Sequence, residues 1–496
     1  MIHLMSCTVN LSTLNHSKWV RKRLINMINA TNNYSLKLFQ QNYPVNNNTA
    51  LTIPPLLNPL QLSLKHYQTK HFIQTKTRAL TEPQRNTIIL GSGWAGFRLI
   101  RDLDQKIYHI SIVSPRNHFV FTPLLASTSV GTLEFRCITE PIRTYSSGTN
   151  FYEAYCDGID SKNQIIHCTS SIHDLEQRKF SLHYDQLIIC VGAYSKTFGI
   201  PGVKEYAYFL KEINDARKIR KKLIDCFEYA SQPGLTDKEK EDQLHFVVVG
   251  GGPTGVEFSA ELYDFIADDV SRLYPDLIGK IHMTLFDVAP TILGAFDSHL
   301  ADYASKKFNR KGIQVKTKRK VEKVEKDHLI IQGEGEVPYG LLVWSTGLMQ
   351  NPLVESFIEA EKDKSSQRIL TDGHLRVYNK ETNLPFPNIY ALGDCATIKE
   401  YDLPATAQVA SQKAKYLAKT LNTFAKRDYD LSEGKKFKYR DYGMMAYIGS
   451  YEALVDMSAV HNWAKMSGHL SWLFWRSVYI NKSISIRNKM LIAYHW

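Results

Sequence analysis

The chain has 496 residues, 44% hydrophobic and 22% charged, with 61 Lys and Arg against 49 Asp and Glu and a formal charge of +12. These proportions fit a globular protein of two to three domains and exclude collagen, coiled coil and wholesale disorder. No apolar run approaches the roughly 18 residues of a spanning helix, and seven scattered cysteines without a CxxC pair fit neither a disulfide framework nor a zinc site.

The charge is uneven. Residues 1–81 hold nine Lys or Arg and no acid, residues 82–434 are near neutral at −3, and residues 435–496 carry +6. In the amino segment Lys18, Arg21, Lys22 and Arg23 lie beside Trp19, Val20, Leu24 and Ile25. Wound as a helix, these set cations beside an apolar stripe, the form of a mitochondrial targeting peptide. The Asn- and Pro-containing stretch up to residue 83 reads as an unfolded tether. A nucleic-acid arm would also be basic, but the interleaved Leu and Ile speak against that partner.

Order is expected from residue 84. Thr87–Leu90 reads as a strand, Gly91-Ser92-Gly93-Trp94-Ala95-Gly96 as a phosphate loop, Phe97–Leu103 as a helix and Tyr108–Val113 as a second strand. In such a GxGxxG unit Gly91 permits the turn, Gly93 admits a pyrophosphate and Gly96 lets the helix approach the strand. The phosphates sit on the helix N-terminus, where free N–H groups favour anions. The usual acid at the second strand end is replaced by Ser114, whose hydroxyl is still able to bond a ribose; Arg116 either contacts phosphate or faces solvent.

A second unit follows. His245–Val249 is a buried-strand pattern, and Gly250, Gly252 and Gly255 sit in its glycine loop. The strand Ile281–Phe286 ends at Asp287. There a carboxylate accepts hydrogen bonds from an adenosine ribose and repels a 2′-phosphate, which favours NADH; the other reading of Asp287 is a strand-end turn residue. Glu257 either complements the helix dipole or reaches toward a nicotinamide. Two such units suggest one resident nucleotide and one that exchanges, so that hydride passes from a nicotinamide to a flavin. The first unit would be interrupted by the second.

Five further segments carry a resemblance. Pro387–Ala396, with Gly393 and Asp394, is similar to the segment of two-dinucleotide-domain flavoprotein reductases in which the Asp binds the FAD ribitol. Val343-Trp344-Ser345-Thr346-Gly347 and Leu187–Gly192 resemble the strand-end returns of that architecture. Ser114–Leu125, which includes Thr122, resembles the flavin-side segment of the alternative (type II, rotenone-insensitive) mitochondrial NADH:ubiquinone oxidoreductases. Ala407-Gln408-Val409-Ala410-Ser411-Gln412 resembles their quinone-side helix, followed by Lys413 where glycine is frequent. In that family a serine at the second strand end is accepted. Pro404 and Thr406 suit the start of this helix, and Gln408 and Gln412, four apart, share a face.

The resemblance implies an α/β fold with two Rossmann-like dinucleotide-binding domains, the FAD domain interrupted by the NADH domain, plus a C-terminal membrane-anchoring domain. The expected boundaries are a transit peptide and tether over 1–83, FAD domain over 84–212 and 374–434, NADH domain over 213–373, and anchor over 435–496. In the last unit, His469–Ile480 and Ser485–Trp496 read as short aromatic helices with Arg476, Lys482, Arg487 and Lys489. Neither spans a bilayer, so they suit a lipid surface, a homodimer contact, or both.

The expected activity is oxidation of NADH and reduction of ubiquinone without proton pumping, with FAD as cofactor, by a peripheral protein of the mitochondrial inner membrane. Glu257, Gln408 and Gln412 are the positional candidates for catalysis; no metal is called for. The lack of a close cysteine pair argues against a disulfide or sulfide substrate, and Cys395 reads as a buried structural thiol. Two alternatives stay open: a soluble NAD(P)H-dependent flavin reductase with another acceptor, and a redox-sensing flavoprotein resembling apoptosis-inducing factor.

Overall fold

The computed structural model describes residues 84–145, 148–172, 178–425, 434–459 and 464–496. The targeting peptide and tether lie outside these residues.

Two glycine-loop units organise the chain. In the first, the strand Arg85–Leu90 runs parallel to Tyr108–Ser114 on one side and to Gln186–Ile189 on the other. Its residues Ile88, Ile89 and Leu90 are all buried. A strand covered on both faces by helix or sheet reads as a continuous apolar run, as this one does. The sheet grows to ten strands: Pro385–Ala391 joins Gln186–Ile189 in parallel, and an antiparallel meander over 150–183 extends the far edge. The late strand therefore closes the sheet begun 300 residues earlier in the chain, as expected for an interrupted domain.

The second unit is a five-stranded parallel sheet ordered Tyr208–Phe209, Leu341–Trp344, His245–Val249, His282–Phe286 and Ile313–Lys316. A separate antiparallel sheet, Val321–Val324, His328–Ile331 and Gly335–Pro338, packs on it. Ala193–Ser195 and Leu348–Gln350 pair antiparallel where the chain leaves and re-enters the first unit.

Sheet membership moves both expected boundaries of the insertion. Tyr208 and Phe209 pair with Val343 and Trp344, so the inserted unit starts before residue 213. Ile369–Thr371 pairs with Ala396–Ile398, and Leu353, Val354 and Phe357 pack into the first unit's core. The return therefore comes at about residue 348 rather than 374. Strands of two or three residues, such as Tyr208–Phe209 and Ile369–Thr371, carry no readable periodicity.

The C-terminal residues form a three-stranded antiparallel sheet (Met444–Tyr447, Ala453–Asp456, Lys465–Gly468) and the helices His469–Lys482 and Ile486–His495. Both helices fall where the aromatic and basic pattern places them. Among the described residues no helix is long and apolar enough to cross a membrane.

Candidate functional site

Both glycine loops have the geometry that a bound pyrophosphate needs. Gly91 has φ +103° and Gly250 φ +118°, left-handed conformations that side-chain-bearing residues avoid. A Cβ on Gly96 would overlap the Gly91 carbonyl, and one on Gly255 the Gly250 carbonyl. These third glycines let each helix close onto its strand. The second glycines differ: a Cβ on Gly93 would meet only Arg116 at 3.5 Å, and one on Gly252 would meet nothing within 4 Å. That open side is the space for phosphate. Gly251, which the sequence reading passed over, is the crowded one. A Cβ there would lie 2.7 Å from Ile292 Cγ2 and 2.9 Å from Asp287 Oδ2.

A cavity of about 360 Å³ opens beside Gly93. Of the residues singled out in the sequence, Gly93, Arg116, Thr122, Glu257, Gly347, Gly393 and Asp394 line it. They come from both glycine-loop units. Thr254 and Glu257 reach it from the second unit's helix Pro253–Phe265, and Ala407 and Ala410 from the N-terminal end of Ala407–Ala425. Thr406 Oγ1 accepts from the Val409 N–H at 3.3 Å, the expected cap. The positive end of that helix faces the cavity.

The residues present suit FAD. Lys211 lines the cavity, and its buried Nζ has no hydrogen-bond partner. Burial lowers its pKa, while Asp394 and Glu212 oppose the shift. A buried ammonium without a partner is costly unless an anionic ligand completes it. Open space above Gly93, the Lys211 cation, the Asp394 carboxylate and a helix N-terminus together accommodate phosphates, a ribityl chain and an electron-rich ring. Lys211, Glu212, Trp94 and Trp344 were not found by sequence reasoning. The signal for Trp344 was present in its quoted strand-end motif; Lys211 and Glu212 lie just before the helix Ile213–Ala230, outside every quoted motif.

Several expected residues take different positions. Ser114 is 2% exposed, and its hydroxyl pairs with Ser92 Oγ at 2.8 Å. It braces the first loop from behind, which corrects its expected exposure to a ribose. Arg116 does line the cavity, in an ion pair with Glu212. Trp94 Nε1 donates to Thr122 Oγ1 at 2.9 Å, which orients the threonine. Glu257 sits in the second turn of its helix, since no acid occupies the first turn; dipole complementation is therefore not its role. Asp287 follows the strand His282–Phe286. Its Oδ2 accepts from the Gly251 N–H and its Oδ1 from Ala289 N at 2.6 Å, so the carboxylate holds the second loop.

Gln408 and Gln412 share a face but do not line the cavity. Gln408 Oε1 accepts from Tyr439 Oη and Tyr442 N, both at 2.9 Å, and its Nε2 donates to Gly443 O at 3.3 Å. Gln412 donates to Arg440 O at 2.8 Å and accepts from Arg440 N at 3.1 Å. The two amides clasp the segment 439–443 that leads into the C-terminal sheet. The two amides were expected to line one site together; both are taken up by this segment instead. Lys413 is 1% exposed, and burial pushes its amine down to about 8.

Cys395 is fully buried, with Sγ 3.4 Å from Leu392 O, and burial pushes its thiol up to about 11. Cys156 and Cys168 face each other on adjacent strands, and neither lines the cavity.

The pyridine nucleotide-disulphide oxidoreductase family matches residues 85–414, and the NDH2 C-terminal domain matches residues 442–496. A probable NADH dehydrogenase of Dictyostelium discoideum is 40% identical over 430 residues, covering 86% of this chain and 92% of that protein. The mitochondrial internal alternative NAD(P)H-ubiquinone oxidoreductase A1 of Solanum tuberosum is 40% identical over 471 residues, covering 90% and 93%. The solved NDH2 of Plasmodium falciparum in complex with NADH superposes with a TM-score of 0.77 at 30% identity, covering 83% of this chain and 97% of that one.

Proposed function

The chain belongs to the pyridine nucleotide-disulphide oxidoreductase family, in its alternative (type II) NAD(P)H-ubiquinone oxidoreductase branch, and on that premise we propose how its site divides the work. The protein is an FAD- and NADH-dependent enzyme that oxidises NADH and reduces ubiquinone without pumping protons. It is mitochondrial and peripheral to the membrane.

The observation that carries the proposal is the cavity shared by the two units. FAD, when bound, supplies a two-electron link between a hydride donor and a quinone. Gly91, Gly93 and Gly96 form its phosphate cradle, Arg116 and Lys211 offset its negative charge, and Thr122, Gly393 and Asp394 hold its middle. Gly250, Gly252, Gly255 and Asp287 receive NADH, with Gly347 at the return from that unit. Glu257 sits where both units meet and holds a proton at its carboxyl oxygen. Gln408 and Gln412 act as positioning residues that fasten the C-terminal sheet to the flavin side.

The membrane and subunit contacts are part of the same proposal. Leu470, Leu473 and Phe474 on one C-terminal helix and Ile486, Met490 and Tyr494 on the next are exposed, beside Lys482 and Lys489. An apolar face rimmed by cations suits anionic lipid, and part of it suits a second subunit.

The test is rotenone-insensitive NADH:quinone turnover of the purified protein on liposomes, with Asp287→Ala as control. Turnover with a ubiquinone analogue is expected. Activity with ferricyanide alone would favour a soluble reductase with another acceptor. Full FAD occupancy without turnover would favour a redox sensor.

A further inference from the structure

The run Lys316-Thr317-Lys318-Arg319-Lys320 sets four cations in five residues, starting from the last residue of the edge strand Ile313–Lys316. None of the four lines the cavity shared by the two units, so flavin chemistry does not account for them.

Their backbone is tied to the turn that carries Asp287. Lys316 pairs with Phe286 across the parallel strands, and its carbonyl accepts from the Asp287 N–H at 3.1 Å. Arg319 N donates to Asp287 O at 2.9 Å and Lys318 N to Ala289 O at 3.1 Å. Lys318 is exposed and takes a left-handed φ of +55°, an uncommon backbone state for a lysine. Residues 316–319 therefore lie directly against the turn 287–289, within a long side chain's reach of a group bound there.

A single acid holds two of these cations. Glu334 Oε2 accepts from Lys316 Nζ at 2.7 Å, and its Oε1 accepts from Arg319 Nε at 2.6 Å. The acid's side chain is 17% exposed, against 36% and 42% for the two cations. It comes from the tip of the hairpin between His328–Ile331 and Gly335–Pro338. Gly333 and Gly335, at φ +80° and +82°, flank it, so the chain turns sharply on both sides of this one residue. Gln332 N donates to Lys320 O at 2.9 Å, which pins the tip to the basic run. Burial opposes ionisation of Glu334, but the two cations outweigh it and hold its carboxyl below the ordinary range. A solvated ion pair would contribute little; here each oxygen is committed to a different cation, and the acid between them is mostly covered.

The chemistry of these pieces points to one group. A 2′-phosphate on an adenosine ribose held at Asp287 would be an anion beside Lys316, Lys318 and Arg319, and Arg and Lys are the side chains that bind phosphate. We propose that Glu334 is a specificity-determining residue: by holding Lys316 and Arg319 it closes a latent 2′-phosphate subsite beside Asp287, and so sets the chain's discrimination against NADPH. The assignment rests on the reading above that the second glycine loop and Asp287 receive NADH, and it adds a second barrier to the one at Asp287. Selectivity of this kind comes from leaving the wrong ligand's charge unpaired.

The test compares NADPH with NADH as electron donors for the FAD-loaded full chain carrying Glu334→Gln, an isosteric change that removes the charge. The ratio of kcat/KM for NADPH to that for NADH is expected to rise at least about tenfold, the scale of one charge-assisted hydrogen bond. Loss of a merely structural ion pair would lower both donors together and leave the ratio unmoved. Adenosine 2′,5′-bisphosphate, followed as a competitor of NADH, should bind more tightly to the variant and lose that gain in high salt. Adding Lys316→Gln and Arg319→Gln to Glu334→Gln should cancel both gains. Glu334→Asp keeps the charge, but its shorter reach cannot span both cations; it should give an intermediate ratio, and it decides the question if the Gln variant does not fold. An unchanged ratio and unchanged bisphosphate affinity in a folded Glu334 variant would overturn the assignment. Bleaching of the flavin by NADH in the unsubstituted protein is followed in parallel, and without it the reductase reading itself fails. Bleaching by NADH with an unmoved ratio sinks the specificity assignment alone.

Discussion

The backbone N–H of Tyr447 donates to Glu257 Oε1 at 3.3 Å. The C-terminal sheet therefore touches the one carboxylate that the second glycine-loop helix sends into the cavity. The same tyrosine donates its hydroxyl to Asp264 at 2.6 Å. A residue of the C-terminal sheet thus grips two acids of the second glycine-loop unit, and the environment of Glu257 depends on the docking of that sheet.

Glu257→Gln tests this environment in two ways. Its carboxyl is raised to about 8 by burial, so the acid form prevails below that pH and donates a proton; quinone turnover of the unsubstituted enzyme should decline as pH rises through about 8. The variant should lose that limb and fall about 100-fold in rate. For stability, a raised carboxyl means that the folded state binds more protons than the unfolded one between the usual carboxylate range and about 8, so stability drops with rising pH across that window. Glu257→Gln should be the more stable protein above pH 8, by about 1–3 kcal/mol, with the difference gone near pH 4. Thermal unfolding at the two pH values measures it.

Asp287→Ala should raise the KM for NADH about tenfold, the worth of one or two hydrogen bonds to the ribose, and improve the relative use of NADPH by removing like charge. The carboxylate also holds the Gly251 and Ala289 N–H groups, so FAD content should be unchanged while the second loop loosens. Equal NADH affinity in the variant would show that Asp287 serves the loop alone.

Gly96→Ala places a methyl against the Gly91 carbonyl. The helix Trp94–Asp102 must then lift from its strand and misplace the phosphate-facing N–H groups. The variant should purify with most of its FAD missing, read from the absorbance of the flavin relative to protein. Gly93→Ala, with only Arg116 at 3.5 Å, should fold normally in the absence of cofactor and still bind FAD weakly.

Gln408→Ala removes the acceptor for Tyr439 Oη and Tyr442 N. The expected cost is about 1–3 kcal/mol, seen as a lower Tm and faster proteolysis within 434–445. Impaired quinone turnover should accompany this through a loosened C-terminal sheet, with flavin reduction by NADH retained. A variant with normal stability and proteolysis would contradict the clasp.

Leu473→Glu and Met490→Glu alter exposed side chains of the two C-terminal helices. They should leave thermal stability within about 0.5 kcal/mol, as surface changes do, yet release the protein from anionic liposomes in flotation. Retained binding by the double variant would remove this face as the lipid contact.

The local patterns were legible in the sequence because they are local in cause. A left-handed turn calls for Gly91 and Gly250, a buried parallel strand calls for an unbroken run such as Phe246–Val249, and aromatic residues mixed with cations mark the last two helices. From these the two nucleotide units and the interruption of the first followed; FAD came from the resemblance carried by Pro387–Ala396 and Ser114–Leu125, and NADH from Asp287 at the end of its strand. The partners of each polar side chain were not legible, since they come from segments far apart in the chain. Ser114 turned inward because Ser92 lies behind it, Gln408 and Gln412 met the segment 439–443, and Lys211 was left facing the cofactor cavity. Hydrogen-bond satisfaction in a buried site is decided by whichever group the folded chain brings within reach. That is why the sequence alone determined which cofactors this protein binds, and only the tertiary structure decided which side chains are free to hold them.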